Sequence, residues 1–278
     1  MSAIGVFDSG VGGLSVLKAL QDVLPLETFI YVSDAGYAPY GERNVEHVLN
    51  RSRTIAHYLQ EVRHVKALVV ACNTATAAAI ADLRLRYPTL PIIGIEPALK
   101  PAAAMTKTGR IGVMATRSTL QSEKFQSLLA AQPANNQFIT QACDGLAAAI
   151  EQGDQKLIES LCKTYTQALG PFGIENGHID TLVLGCTHYA FATKTIIDLI
   201  GPGIQLVEGG IPVARRTRDL LDALGSVNGA AAQKLTPNSS GLELLTTGEG
   251  EPLQNAAYRW LNDKTPVQQL NMGADSTT

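Results

Sequence analysis

The sequence predicts an α/β protein made of two similar domains with mostly parallel sheets, related by pseudo-two-fold symmetry, with the active site between them. Three observations predict it. Short apolar runs rich in β-formers alternate with helix-period stretches along the chain, the pattern of βαβ units and parallel sheets. Two of those runs end in the same corner, a buried strand followed by cysteine and a threonine: K-A-L-V-V-A-C-N-T-A-T at 66–76 and D-T-L-V-L-G-C-T-H-Y at 180–189. The order of parts also repeats. Ile-Gly-Val at 4–6 and again at 111–113 opens a series that passes through helices to a strand-Cys corner, then to a strand ending at Glu96 or Glu208.

Taken in order, 3–7 reads as a strand, and D-S-G-V-G-G at 8–13 as a turn into a helix over 14–21. Such a turn can offer backbone N–H groups to an anion. A second strand at 28–32 closes at Ser33 and Asp34. This opening imitates a dinucleotide fingerprint, with Asp34 near the place of a ribose-binding acid, but Ser15 stands where G-x-G-x-x-G needs its last glycine. G-Y-A-P-Y-G at 36–41 is a turn-rich loop. A long helix is expected over 42–63, with Val45, Val48, Leu49, Ile55, Leu59 and Val62 as its apolar stripe and its charged residues as a solvated face. Strand 66–71, helix 74–86 and strand 90–95 follow. The second series comprises strand 110–115, helix 123–131, a short strand around Phe138 and Ile139, helices 145–150 and 157–168, strand 181–184, a helix after Cys186 reaching 196–200, and strand 204–207. Helix 212–224, a polar loop over 226–241, a strand at 242–245 and a helix at 253–261 complete the expectation. The domains are expected as 1–98 plus 210–265 and as 99–209, with 266–278 a polar, disordered tail.

Length and composition agree with this plan. At 278 residues the chain exceeds a usual domain of roughly 150 residues. A hydrophobic content of 45% supplies a real core. The net charge of -3 gives no support for electrostatic nucleic-acid binding. The N-terminus lacks the basic and apolar regions of a signal peptide, and no run of 18 apolar residues suggests a membrane span. A cytoplasmic protein is expected. Its four cysteines, Cys72, Cys143, Cys162 and Cys186, form no CxxC pair, which points away from zinc and redox-pair chemistry and toward free thiols. Cys143 and Cys162 read as core thiols.

A cysteine at a helix start gains from the helix dipole and nearby N–H groups, which favour thiolate. In open α/β sheets ligands bind beyond the carboxyl ends of the strands, and both Cys72 and Cys186 fall at such ends. Facing each other across one ligand, they could act as two bases. One thiolate would remove a proton from carbon and the opposite thiol would return one to the other face, inverting configuration without hydride, metal or nucleotide. Three other readings stay open at this stage. A single nucleophilic cysteine could use His188, although side chains two residues apart on a helix do not face each other. Both cysteines could be buried apolar groups. A two-lobed module could bind a ligand without turnover.

The motifs D-S-G-V-G-G at 8–13, P-Y-G at 39–41, C-N-T-A at 72–75, E-P-A at 96–98, A-T-R-S-T at 115–119 and L-G-C-T-H at 184–188 together resemble the aspartate/glutamate racemase family, and its glutamate racemases in particular. The resemblance runs from residue 4 to about residue 210, in the family's order and spacing. It implies interconversion of L- and D-glutamate for peptidoglycan, with no cofactor and no metal, in a protein that associates as a homodimer. Carried over motif by motif, it implies that Cys72 deprotonates D-glutamate and Cys186 deprotonates L-glutamate. Asp8 and His188 would assist them, with Glu151 as a further acid near His188. Ser9, Tyr40 and Gly41 would hold the side-chain carboxylate, and Asn73, Thr74 and Thr187 the α-carboxylate. Asp8 would meet the ammonium, and Thr116 and Thr119 would form the wall. The chain departs from the family pattern at Glu208-Gly209 and at Ala190. The short stretch before Asp8 carries the expectation that no cell-wall precursor is required as activator. An aspartate racemase is the nearest alternative.

Overall fold

A computed structural model describes residues 2–228 and 241–271. Two all-parallel sheets organise the chain. The first takes β1 (Ile4–Asp8), β2 (Phe29–Ser33), β3 (Ala67–Val70), β4 (Ile92–Gly94), β9 (Leu242–Thr246) and β10 (Val267–Gln269), in the order β10-β9-β2-β1-β3-β4. The second takes β5 (Arg110–Ala115), β6 (Gln137–Ala142), β7 (Thr181–Gly185) and β8 (Gln205–Glu208), in the order β6-β5-β7-β8. The repeat read from sequence has a direct counterpart. Each Ile-Gly-Val strand lies next to its cysteine-bearing strand, Ile4 opposite Ala67 and Ile111 opposite Thr181.

Helices cover both faces of each sheet, which is why the central strands are apolar without alternation. On one face of the first sheet, α1 (Leu14–Val23), α10 (Gly210–Ala223) and α11 (Gly250–Leu261) bury Leu17, Leu20, Val213, Leu221 and Leu253. On its other face, α2 (Val45–His57) and α3 (Asn73–Arg86) bury Val48, Ile55, Ile80 and Leu83. The second sheet is flanked by α4 (Leu99–Met105) and α6 (Glu123–Ala130) on one side, and by α7 (Leu146–Gln152), α8 (Gln155–Leu169) and α9 (Thr193–Ile200) on the other. A short α5 (Arg117–Gln121) leads into α6.

Several expectations change. The helix expected over 42–63 begins at Val45, because the Asn44 side chain accepts the His47 N–H and caps it there. It ends in a π turn over Tyr58–Val62. Its stripe is narrower than expected, since Val45 and Val62 are 66% and 58% exposed. Its charged residues are not all solvated, because Arg51 is buried against Asp34. Asp34 is therefore no free ribose-binding acid. Its carboxylate accepts from Arg51, Tyr40 and Thr247. Residues 267–269, expected within a disordered tail, extend the first sheet beside β9. Residues 272–278 of that tail, and 229–240 of the expected loop, lie outside the described residues. Among the described residues no helix is long and apolar enough to cross a membrane.

Candidate active site

All strands of a parallel sheet deliver their carboxyl ends to one edge, and here the two edges meet. Asp8 ends β1, Cys72 follows β3, Thr116 follows β5, Cys143 follows β6 and Cys186 follows β7. One cavity of about 210 Å³ is lined by all five. Cys72 and Cys186 reach it from different sheets. The same cavity takes Ser9, Tyr40, Gly41, Asn73, Thr74, Thr187, His188 and Glu151. Of the residues expected in the site, Thr119 alone is missing from the lining. It stands behind the wall, its hydroxyl 2.9 Å from Thr116 Oγ1 and 3.4 Å from Thr74 Oγ1. Among the described residues no lysine or arginine lines the cavity.

The two cysteines share an extended backbone and differ in their partners. Cys72 is extended and caps α3, its Sγ accepting the Ala75 N–H at 3.4 Å. Ser9 Oγ lies 3.9 Å from that sulfur and 3.5 Å from Asp8 Oδ1. Asp8 is fully buried, and its Oδ2 accepts the Gly13 N–H at 2.5 Å and the Thr187 hydroxyl at 3.3 Å. Burial pushes the Cys72 thiol well above its usual range, and the nearby Asp8 carboxylate adds to the effect. Burial also raises Asp8, partly opposed by His188.

Cys186 precedes a 3-10 turn over Thr187–Ala192 rather than a full helix. Its own backbone is extended, at φ -144° and ψ 136°. The helical spacing argument against contact between Cys186 and His188 therefore does not apply, and Sγ lies 3.8 Å from His188 Nδ1. His188 Nε2 lies 2.7 Å from Glu151 Oε2. Burial disfavours the charged imidazole, but the contacts with Cys186 and Glu151 outweigh it and lift His188 well above 6.5. An ordinary histidine at pH 7.5 is about 90% neutral. His188 is expected to remain an imidazolium there, and Glu151→Gln to bring its pKa down, both read from ¹⁵N chemical shifts. Because the folded value is raised, this contact stabilises the fold fully below the unfolded pKa of 6.5, and the contribution is lost as pH rises through the folded value.

Glu151 also explains the glycine turn. Its two carboxylate oxygens accept the Val11 N–H at 3.2 and 3.0 Å. A Cβ on Gly10 would fall 2.5 Å from Glu151 Oε2, and one on Gly12 would fall 2.6 Å from Thr187 Oγ1 and meet His188 Nδ1 as well. The glycines let the first half approach the proton-handling residues of the second. Further hydrogen bonds tie the halves, from Ser15 Oγ to Thr187 O at 3.2 Å and from Ser118 Oγ to Gly41 O at 2.6 Å.

Three features of the lining differ in kind from the sequence picture. The Tyr40 hydroxyl donates to Asp34 Oδ2 at 2.5 Å, so its one proton is already used. Asn73 Oδ1 is buried with no partner among the described residues and adjoins the cavity, an acceptor awaiting a donor. Cys143 is 2% exposed, as a core thiol would be, yet it also lines the cavity beside Asp144 and Gly145. Its place at the carboxyl end of β6 was the signal that could have found it. Cys162 faces the core from α8.

A family model for Asp/Glu/hydantoin racemases matches residues 12–215. A glutamate racemase of Pseudomonas putida is 48% identical over 222 residues, covering 79% of this chain and 82% of that protein. One from Pseudomonas aeruginosa is 45% identical over 242 residues, with coverage of 85% and 87%. Among solved structures, a glutamate racemase of Bacillus anthracis superposes with a TM-score of 0.82 at 32% identity, covering 98% of each chain. That of Escherichia coli, solved with L-glutamate and the activator UDP-MurNAc-ala, gives 0.80 at 28% identity, covering 97% of this chain and 98% of that one.

Proposed function

The chain belongs to the Asp/Glu/hydantoin racemase family, and on that premise we propose that it interconverts L- and D-glutamate by a two-base mechanism. The observation that carries the proposal is a single cavity reached by Cys72 from one sheet, beside Ser9 and Asp8, and by Cys186 from the other, beside His188. Cys186 Sγ takes the α-proton of L-glutamate, with imidazolium His188 beside it to balance the charge. The electron pair left on Cα takes a proton from the Cys72 thiol on the opposite face, which gives D-glutamate and leaves a thiolate at Cys72. In reverse, that thiolate deprotonates D-glutamate and Cys186 returns the proton.

The raised pKa of Cys72 supports its role as the resting proton donor. Asp8, between Cys72 and Thr187, assists on that side and receives the ammonium. Among the described residues the lining offers neutral donors to both carboxylates: Ser9 and the Tyr40-Gly41 backbone for the distal one, Asn73, Thr74 and Thr187 for the α-carboxylate, with Thr116 as wall and Thr119 as its support. Glu151 holds His188. The same reading divides the chain into lobes 1–98 plus 210–265, to which the strand Val267–Gln269 adds its pairing with β9, and 99–209, and makes the protein a homodimeric supplier of D-glutamate for peptidoglycan. Four free thiols suit a cytoplasmic setting.

Incubation of L-glutamate with the protein in heavy water, without added cofactor, is expected to give D-glutamate carrying one solvent deuterium at Cα, read by mass spectrometry and chiral separation. D-glutamate without deuterium would sink the two-base scheme. Faster turnover of L-aspartate than of L-glutamate would favour the aspartate racemase reading.

A further inference from the structure

Behind the cavity wall at 38–42 lies a buried ionic group with no part in the proton chemistry. Asp34 is 0% and Arg51 7% exposed. Arg51 is bidentate on Asp34, with Nη2 2.8 Å from Oδ1 and Nε 3.0 Å from Oδ2. The same carboxylate accepts the Thr247 hydroxyl at 2.9 Å and the Tyr40 hydroxyl at 2.5 Å. The guanidinium carbon also sits 3.5 Å from the centre of the Tyr37 ring. Arg51 thus grips the wall on both sides of Pro39, through the face of Tyr37 and, by way of Asp34, through the phenol of Tyr40. Neither Asp34 nor Arg51 lines the cavity, whereas Ala38, Pro39, Tyr40, Gly41 and Glu42 do.

We propose that Arg51 is a positioning residue. Acting through Asp34 on Tyr40, it fixes the wall at 38–42 and so sets recognition of the substrate carboxylate farthest from the reacting carbon. The proposal rests on the glutamate reading above, in which the Tyr40-Gly41 backbone meets that carboxylate. Two physical points support it. A neutral wall of backbone N–H groups binds an anion only if the donors are held in place, because it has no mobile cation to follow the ligand. A planar, two-pronged guanidinium that also stacks on an aromatic ring fixes orientation as a lysine ammonium cannot. Cys72 and Cys186 lie at other strand ends, so their chemistry should be spared.

The test compares wild type, Arg51→Lys and Tyr40→Phe in steady-state racemisation of L-glutamate and L-aspartate, with melting curves for each. Arg51→Lys is expected to raise KM for L-glutamate about 10-fold while kcat changes by less than about 2-fold, the signature of lost binding that is equal in ground and transition states. The preference for L-glutamate over L-aspartate should fall by a similar factor. Tyr40→Phe keeps the ion pair and its fold but loses the link to the wall, so it should move KM the same way. If Arg51→Lys does not fold, Tyr40→Phe decides. An unchanged KM in the folded variants, or a fall in kcat alone, would overturn the proposal. Wild type turning over no glutamate would overturn the underlying reading, and this assignment with it.

Discussion

Cys186→Ser and Cys72→Ser are each expected to slow racemisation of glutamate by about 10³-fold or more, with melting temperatures close to wild type. Positioned general acid–base groups contribute about 10²–10⁴-fold, and in a two-base reaction both proton transfers are compulsory. Serine keeps the shape at either corner but holds its proton too tightly to act as a base near neutrality. The two variants should also differ from each other. Cys72→Ser retains Cys186 and His188, so it should still exchange the α-hydrogen of L-glutamate with solvent deuterium faster than it forms D-glutamate. Cys186→Ser should show that residual exchange from D-glutamate instead. Wild-type rates in either variant would refute the assignment of both sulfurs to proton transfer.

Gly12→Ala should lower kcat/KM by about 10²-fold or more while leaving each half folded. The backbone at Gly12 is not in the left-handed region, so alanine meets no strain of its own there. The added methyl collides directly with the second half instead, 2.6 Å from Thr187 Oγ1 and against the His188 ring. Either the halves part or His188 turns away from Cys186. A displacement of about 1 Å at reacting groups is enough to cost about 10²-fold. Gly203→Ala, where a Cβ meets nothing within 4 Å, serves as the control and should keep full activity. Wild-type kinetics in Gly12→Ala would show that the glycine turn is mere punctuation.

Much of the fold was legible because apolar period and corner chemistry are local. The strands hold continuous apolar runs at 4–7, 67–70, 111–115 and 182–185, and each central strand is covered on both faces. What escaped notice had weak local signals. α4 is seven residues long and carries Pro101 within it. β6 was expected only around Phe138 and Ile139, because it is an edge strand whose polar residues break the apolar run. β10 is a polar edge strand that gains its order from pairing with β9. Arg51 looked like a solvated residue because nothing within its own helix reveals Asp34, which lies 17 positions away.

Local pattern alone sets Asp8, Cys72 and Cys186 at the carboxyl ends of parallel strands, the ends at which open α/β sheets bind ligands. Periodicity and turn chemistry act over a few residues, and those positions are fixed at that range. Which groups touch depends on how the two halves pack. Glu151 reaches Val11 across 140 positions and Asp8 meets Thr187 across 179, contacts that exist because two sheets pack edge to edge. The extended backbone at Cys186 that brings sulfur and imidazole together is likewise a product of how that corner is packed, since the helical spacing rule alone would have kept them apart.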